Sequence, residues 1–281
     1  MPVVSMRPRI AVYKFASCDG CQLQLLDVLV KLRPATAAGV KLRPATAACE
    51  SFDIEHFLEA RSRIGVGPYD VGLVEGSVST PDDVARIREI RAQCRFLVTI
   101  GACATAGGIQ ALRNWGDADE FLGAVYATPG FISTLEKSEP IAAHVKVDFE
   151  LRGCPIDPGQ LAHVLSSFVV GRRPSLPGYS VCVECKERGT VCVAVARGIP
   201  CLGPVTQAGC GAICPAHDRE CFGCYGPDRE EPNLVSLTGF YQRRGADRDS
   251  LARLVHSFNA WAPEFRDAHD RLVSDSTEDG R

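Results

Sequence analysis

The stretch PRIAVYKFASCDGCQLQLLDVLV (8–30) decides the reading of the fold. Residues 8–15 are apolar and β-branched enough for a buried strand. The run stops at Ser17-Cys18-Asp19-Gly20-Cys21, and from Gln22 to Val30 the residues Leu25, Leu26 and Leu29 recur at helical spacing. The same order returns downstream. YDVGLVEG (69–76) is a second strand running into a Gly loop, and Ser79-Thr80-Pro81-Asp82-Asp83 starts a helix, with Pro early and acids in the first turn. Arg95 to Ile100 is a third strand, leading into Gly101-Ala102-Cys103. Lys146 to Phe149 is a fourth, ending near Gly153-Cys154-Pro155; a helix over 158–170 follows, and Gly171-Arg172-Arg173-Pro174 reads as a linker. Strands alternating with helices predict an α/β fold with a parallel, doubly wound sheet.

The chain has 281 residues, enough to bury a sizeable core in one large domain or two modest ones. Its net charge of −3 argues against a nucleic-acid partner, which usually demands a basic face. No apolar run is long enough to span a membrane. MPVVSMRPRI (1–10) carries neither the apolar core of a secretion signal nor a twin-arginine pair, so a cytoplasmic protein is expected.

Fourteen cysteines are the departure from ordinary composition. In a reducing compartment so many thiols point to metal rather than disulfides. Eight of them fall between Cys182 and Cys224, and the other six are spread over the first 154 residues. That split predicts two modules: a sheet domain over 1–171, an eight-cysteine module over 172–230, and then a C-terminal helical segment with a polar tail over 231–281. HDRLVSDSTEDGR (269–281) is expected to fray. KLRPATAAGV (31–40) followed by KLRPATAACE (41–50) is a near-perfect tandem repeat, read as a duplicated surface connection, which makes Cys49 a poor ligand.

Cys18, Cys21, Cys103 and Cys154 each lie just past a predicted strand end, where open parallel sheets bind their ligands. Four thiolates converging there suit one cubane cluster, and Gly20, Gly101, Gly107, Gly108 and Gly153 leave room for it. Taken singly, Cys103 or Cys154 reads equally well as a small buried hydrophobe. In the second module the gaps between cysteines are 2, 6, 8, 8, 3, 6 and 2 residues, C-x2-C-x6-C mirrored by C-x6-C-x2-C. Cys182, Cys185, Cys192, Cys201, Cys210, Cys214, Cys221 and Cys224 suffice for two four-iron clusters, or for two structural zinc sites. Cys94 precedes the strand that leads to Cys103, at its wrong end for a shared cluster. Glu75, in a Gly-flanked loop at a strand end, is either a proton relay or partner contact, or a carboxylate accepting backbone hydrogen bonds within its turn.

The strings CDGCQLQLLD (18–27), VEGSVSTP (74–81), IGACATAGGIQALRN (100–114) and LRGCPIDPGQL (151–161), in this order, resemble the small, electron-transferring subunit of [NiFe] hydrogenases. The segment from Cys182 to Pro227 is similar to that of the cytoplasmic, bidirectional class, especially the delta subunits of NADP-linked sulfhydrogenase-type enzymes. The resemblance covers about residues 9–230. It implies a flavodoxin-like first domain whose Cys18, Cys21, Cys103 and Cys154 hold a proximal [4Fe–4S] cluster. It implies medial and distal [4Fe–4S] clusters on the eight later cysteines. It also implies a non-catalytic subunit of an oxidoreductase, partnered by a nickel–iron large subunit and by flavin/NAD(P)-binding and iron–sulfur subunits. A deazaflavin (F420)-linked hydrogenase is the alternative within this class; a zinc-stabilised assembly protein is the alternative outside it. Leu23 stands where the periplasmic relatives carry a proton-relaying Glu, and the repeat at 31–50 is foreign to the family.

Overall fold

The computed structural model describes residues 7–31, 52–230 and 232–278. Cys49 and the repeat beyond Lys31 lie outside them. The opening segment forms β1 (Arg9–Lys14) and α1 (Gly20–Lys31). There follow β2 (Asp53–Phe57), β3 (Tyr69–Glu75), α2 (Pro81–Gln93), β4 (Cys94–Ile100), α3 (Gly101–Ala106), α4 (Ala118–Val125), β5 (Phe149–Leu151) and α5 (Pro158–Val169). The five strands pair in parallel in the order β2-β1-β3-β4-β5, the flavodoxin-like order of doubly wound sheets.

The alternation of side chains along each strand divides the sheet's two faces. Ile10 and Val12 of β1, Val71 and Leu73 of β3, and Val98 and Ile100 of β4 meet Leu25 and Val28 of α1 and Leu161 and Leu165 of α5. Ala11, Tyr13, Val74 and Leu97 meet Ile87 and Ile90 of α2 on the other side. Covering both faces explains why the strands read as nearly continuous apolar runs. Each buried Leu or Ile contributes about 1.5–3 kcal/mol by leaving water. The start of α2 follows from its sequence: Thr80 accepts the Asp83 amide at 3.1 Å while the Asp83 carboxylate accepts the Thr80 amide at 3.0 Å.

Three expectations change. The fourth strand lies at Phe149–Leu151 rather than 146–149. There the Asp148 carboxylate accepts the Leu97 amide at 2.8 Å and the Arg91 guanidinium at 2.7 Å, and pairing of β4 with β5 begins only at Val98 and Phe149. β2 is an addition, because Asp53-Ile54-Glu55-His56-Phe57 is a half-exposed edge strand without an apolar run. The polar C-terminus is helical to Glu278 rather than frayed from 269, because Phe265, Ala268 and Leu272 form a buried stripe.

Beyond the sheet come α6 (Val181–Glu187), α7 (Val193–Arg197), α8 (Ile213–Ala216), α9 (Leu234–Gln242), α10 (Arg248–Val255) and α11 (Pro263–Glu278). They share one core, in which Val181, Val193, Leu202 and Val205 pack with Leu234, Tyr241, Leu251 and Phe265, around the buried Cys201 and Cys221. No helix among the described residues is long and apolar enough to cross a membrane.

Candidate metal centre

The sheet's register builds the first site. Its ladders align Lys14 with Glu75, Glu75 with Ile100 and Ile100 with Leu151, so four strands finish on one line. Cys103 and Cys154 each follow their row partner by three residues, Ile100 and Leu151 respectively. Cys18 lies in the loop after β1, and Cys21 in the first turn of α1. Asp19, between them, holds the left-handed conformation at φ 66°, a costly one for a residue with a side chain. Lys14 Nζ to Asp19 Oδ2 at 2.7 Å and Ser17 Oγ to Asp19 Oδ1 at 3.3 Å hold it there.

Two close approaches show that room at the thiols is built in. Gly101 has φ +85°, and a Cβ there would run into Cys21 Sγ. Gly108 has φ +63°, and its Cβ would stand 2.5 Å from Cys103 Sγ. Only glycine meets both demands. Glu75 is buried and accepts the Cys21 amide on Oε1 at 3.0 Å. Its backbone hydrogen bond therefore reaches to α1 rather than staying within its own turn. Gln110 receives the Cys103 thiol at 3.5 Å on Oε1 and donates from Nε2 to the Ala16 carbonyl at 2.6 Å, so one side chain spans two of the cysteine loops. Neither the Gln110 bond to Ala16 nor the partner of Glu75 is legible from local pattern, since these contacts span 94 and 54 residues.

The four thiols share one locale. Cys21 feels Cys103 and Cys154; Cys103 feels Cys154 and Cys18; Cys154 feels Cys18. Burial pushes the Cys103 thiol up to about 11, and pushes Cys21 and Cys154 upward as well. Such thiols stay protonated at neutral pH unless a bound cation stabilises the thiolate. Cys94 sits at the opposite end of β4, paired with Tyr69 and packed in the apolar layer under α2.

In the second module, Cys182 and Cys185 stand on α6, Cys192 caps α7 and Cys214 lies on α8. The Cys182 thiol feels Cys201, Cys185 and Cys192, while Cys224 feels Cys210, Cys154 and Cys214. Cys221 lies between: its amide donates to Cys201 Sγ at 3.2 Å and its thiol feels both Cys201 and Cys224. Burial pushes Cys182 and Cys185 up to about 11 and Cys224 up to about 12. Tyr241 of α9 grips the Cys201 peptide, accepting its amide at 3.0 Å and donating to its carbonyl at 2.9 Å. The thirteen described cysteines are all free of disulfides. Among the described residues, no three His, Cys, Asp or Glu side chains converge on a point where a single ion would sit.

With this geometry in place, the relatives are informative. The chain matches the family described as NADH ubiquinone oxidoreductase, 20 Kd subunit, over residues 18–168. It is 32% identical to the sulfhydrogenase 2 subunit delta of Pyrococcus furiosus, covering 90% of this chain and all of that one. It is 29% identical to a subunit of the F420-non-reducing hydrogenase of Methanocaldococcus jannaschii, over 80% of this chain and 83% of the relative. Among solved structures it resembles a chain of an NAD+-reducing [NiFe]-hydrogenase in the H2-reduced state, with 28% identity, a TM-score of 0.51, and coverage of 61% of this chain and 96% of that one. The chain belongs to the 20 Kd NADH ubiquinone oxidoreductase subunit family and, within it, to the hydrogenase small subunits.

Proposed function

We propose that this hydrogenase small subunit holds three [4Fe–4S] clusters and carries electrons between a nickel–iron large subunit and a flavin- or iron–sulfur-bearing partner, with NADP as the soluble acceptor. Cys18, Cys21, Cys103 and Cys154 would hold the cluster proximal to the large subunit. Cys210, Cys214, Cys221 and Cys224 form the medial set, because the Cys224 thiol feels Cys154 of the first site together with Cys210 and Cys214. Cys182, Cys185, Cys192 and Cys201 form the distal set, with Cys192 exposed at the surface. The observation that carries the reading is the row of strand ends that brings four thiols from the segments following three separate strands to one sheet edge.

The donor set fits the group. A zinc site draws four donors within about 2.0–2.3 Å of one atom. A cubane gives each thiolate its own iron, so its ligands stand apart, which suits cysteines that share a locale without converging on a point. When bound, such clusters supply one-electron redox chemistry. The chain's own residues bury the thiols wholly or in part, except at the exposed Cys18 and Cys192, and aim amides at sulfur, as Gly203 and Cys221 do at Cys201 Sγ at 3.5 and 3.2 Å. With twelve cysteines assigned, Cys94 alone remains among the described residues, so the nickel ligands fall to the large subunit.

Anaerobic purification of the chain alone and with its large subunit tests this. The chain alone should neither take up nor evolve hydrogen. With the large subunit, hydrogen should bleach its broad visible absorbance. Stoichiometric nickel and turnover in the isolated chain would overturn the reading.

A further inference from the structure

Glu184 lies between Cys182 and Cys185 on α6, yet its carboxylate does not serve that helix. Oε1 accepts the Gly209 amide at 2.8 Å and Oε2 accepts the Ala212 amide at 3.2 Å. Oε2 also stands 4.0 Å from Cys210 Sγ. Just past the end of α6, its capping residue Arg188 donates from Nη1 to the Gly211 carbonyl at 2.7 Å. Residues four apart lie on one side of a helical turn, so α6 and its cap grip the 209–212 turn with an acceptor and a donor. That turn needs holding. Ala212 is left-handed at φ 51°, a conformation that costs a residue with a Cβ and persists only where surrounding contacts fix it.

We infer that Glu184 is a positioning residue that braces the Cys210 loop from the helix bearing Cys182 and Cys185, and that its charge holds down the reduction potential of the second module. The inference rests on the cluster reading above. The brace links the two cysteine sets: α6 carries members of one, and the turn it grips carries a member of the other. The charge acts with a definite sign. A fixed anion beside a cluster's thiolates opposes the gain of an electron, which lowers the potential.

The test uses the whole hydrogenase complex, purified anaerobically, with Glu184→Gln and Glu184→Ala, read by iron content and by redox titration of the electron paramagnetic resonance signals. Gln keeps one acceptor oxygen and removes the charge, so it should retain its iron while a second-module midpoint potential moves upward. Ala removes both acceptors and should lose about 4 iron per chain. Should the Ala variant fail to assemble, the potential of the Gln variant still decides. Unchanged potentials in the Gln variant together with full iron in the Ala variant would overturn the inference. An unmodified complex with only about 4 iron would overturn the cluster reading beneath it, a result separable from the variants' behaviour.

Discussion

The sheet domain and the cysteine-rich module hold the same residue type by opposite means. In the first, five paired strands and flanking helices form a core without help from the four site cysteines, apart from Cys21 at its margin. The thiols sit at its edge, on the loops and first helical turns that follow the strands. In the second, α6, α7 and α8 span only 7, 5 and 4 residues, and Cys201 and Cys221 are themselves core members. Helices that short do not persist on their own in water. Their order comes from α9, α10 and α11 on one side and, in the proposed function, from metal at the centre. One region is a scaffold that carries a site; the other is a site that carries its scaffold.

That contrast should break most visibly on removing the iron. Hydrogen exchange after chelation should show protection collapsing across residues 179–225 while β1, β3 and β4 stay slow, because metal-binding free energy is folding free energy in small metal modules. Equal loss in both regions would abolish the distinction. Next in size, Phe265→Ala should cost about 3–5 kcal/mol, since Phe265 is 1% exposed in the shared core. Denaturant melting should show that loss in the second module's transition, with the sheet's transition kept. A smaller effect belongs to Tyr241→Phe, which strips the Cys201 amide and carbonyl of their partner and should cost about 1–3 kcal/mol by the same melt. The smallest concerns pH. Burial, and then the neighbouring charge of His269, push His256 below its ordinary value near 6.5. The unfolded imidazole then takes up its proton first as pH falls, so stability should decline below about pH 6.5. His256→Gln should flatten that slope in melting temperature against pH.

Local chemistry explains what the sequence shows and what it hides. The strands β1, β3 and β4 are legible because burial on both faces demands unbroken apolar runs, and α2 because its cap is written in consecutive residues. The four strand-end cysteines are legible for the same reason: a parallel sheet sends every strand's end to one edge. β2 is hidden because an edge strand needs no such run, and β5 is displaced because Asp148 meets Leu97 with its carboxylate as well as its amide, so ladder pairing begins one residue later. The helical C-terminus is hidden behind a polar composition whose buried stripe, among the described side chains, is Phe265, Ala268 and Leu272. Glu184, Gln110 and Tyr241 escape any local reading. Each acts across 25, 94 and 40 residues respectively, and such contacts exist only after folding.

Metal analysis of the anaerobically purified protein, unmodified and with Cys94→Ser or Cys103→Ser, tests the central claim most directly. Twelve cysteines at four per cluster give about 12 iron per chain and no zinc. Cys94→Ser, at the far end of β4, should leave that count unchanged, and Cys103→Ser should lower it by about 4. A count of about 4 iron with two zincs, or iron lost on Cys94→Ser but kept on Cys103→Ser, would contradict the assignment.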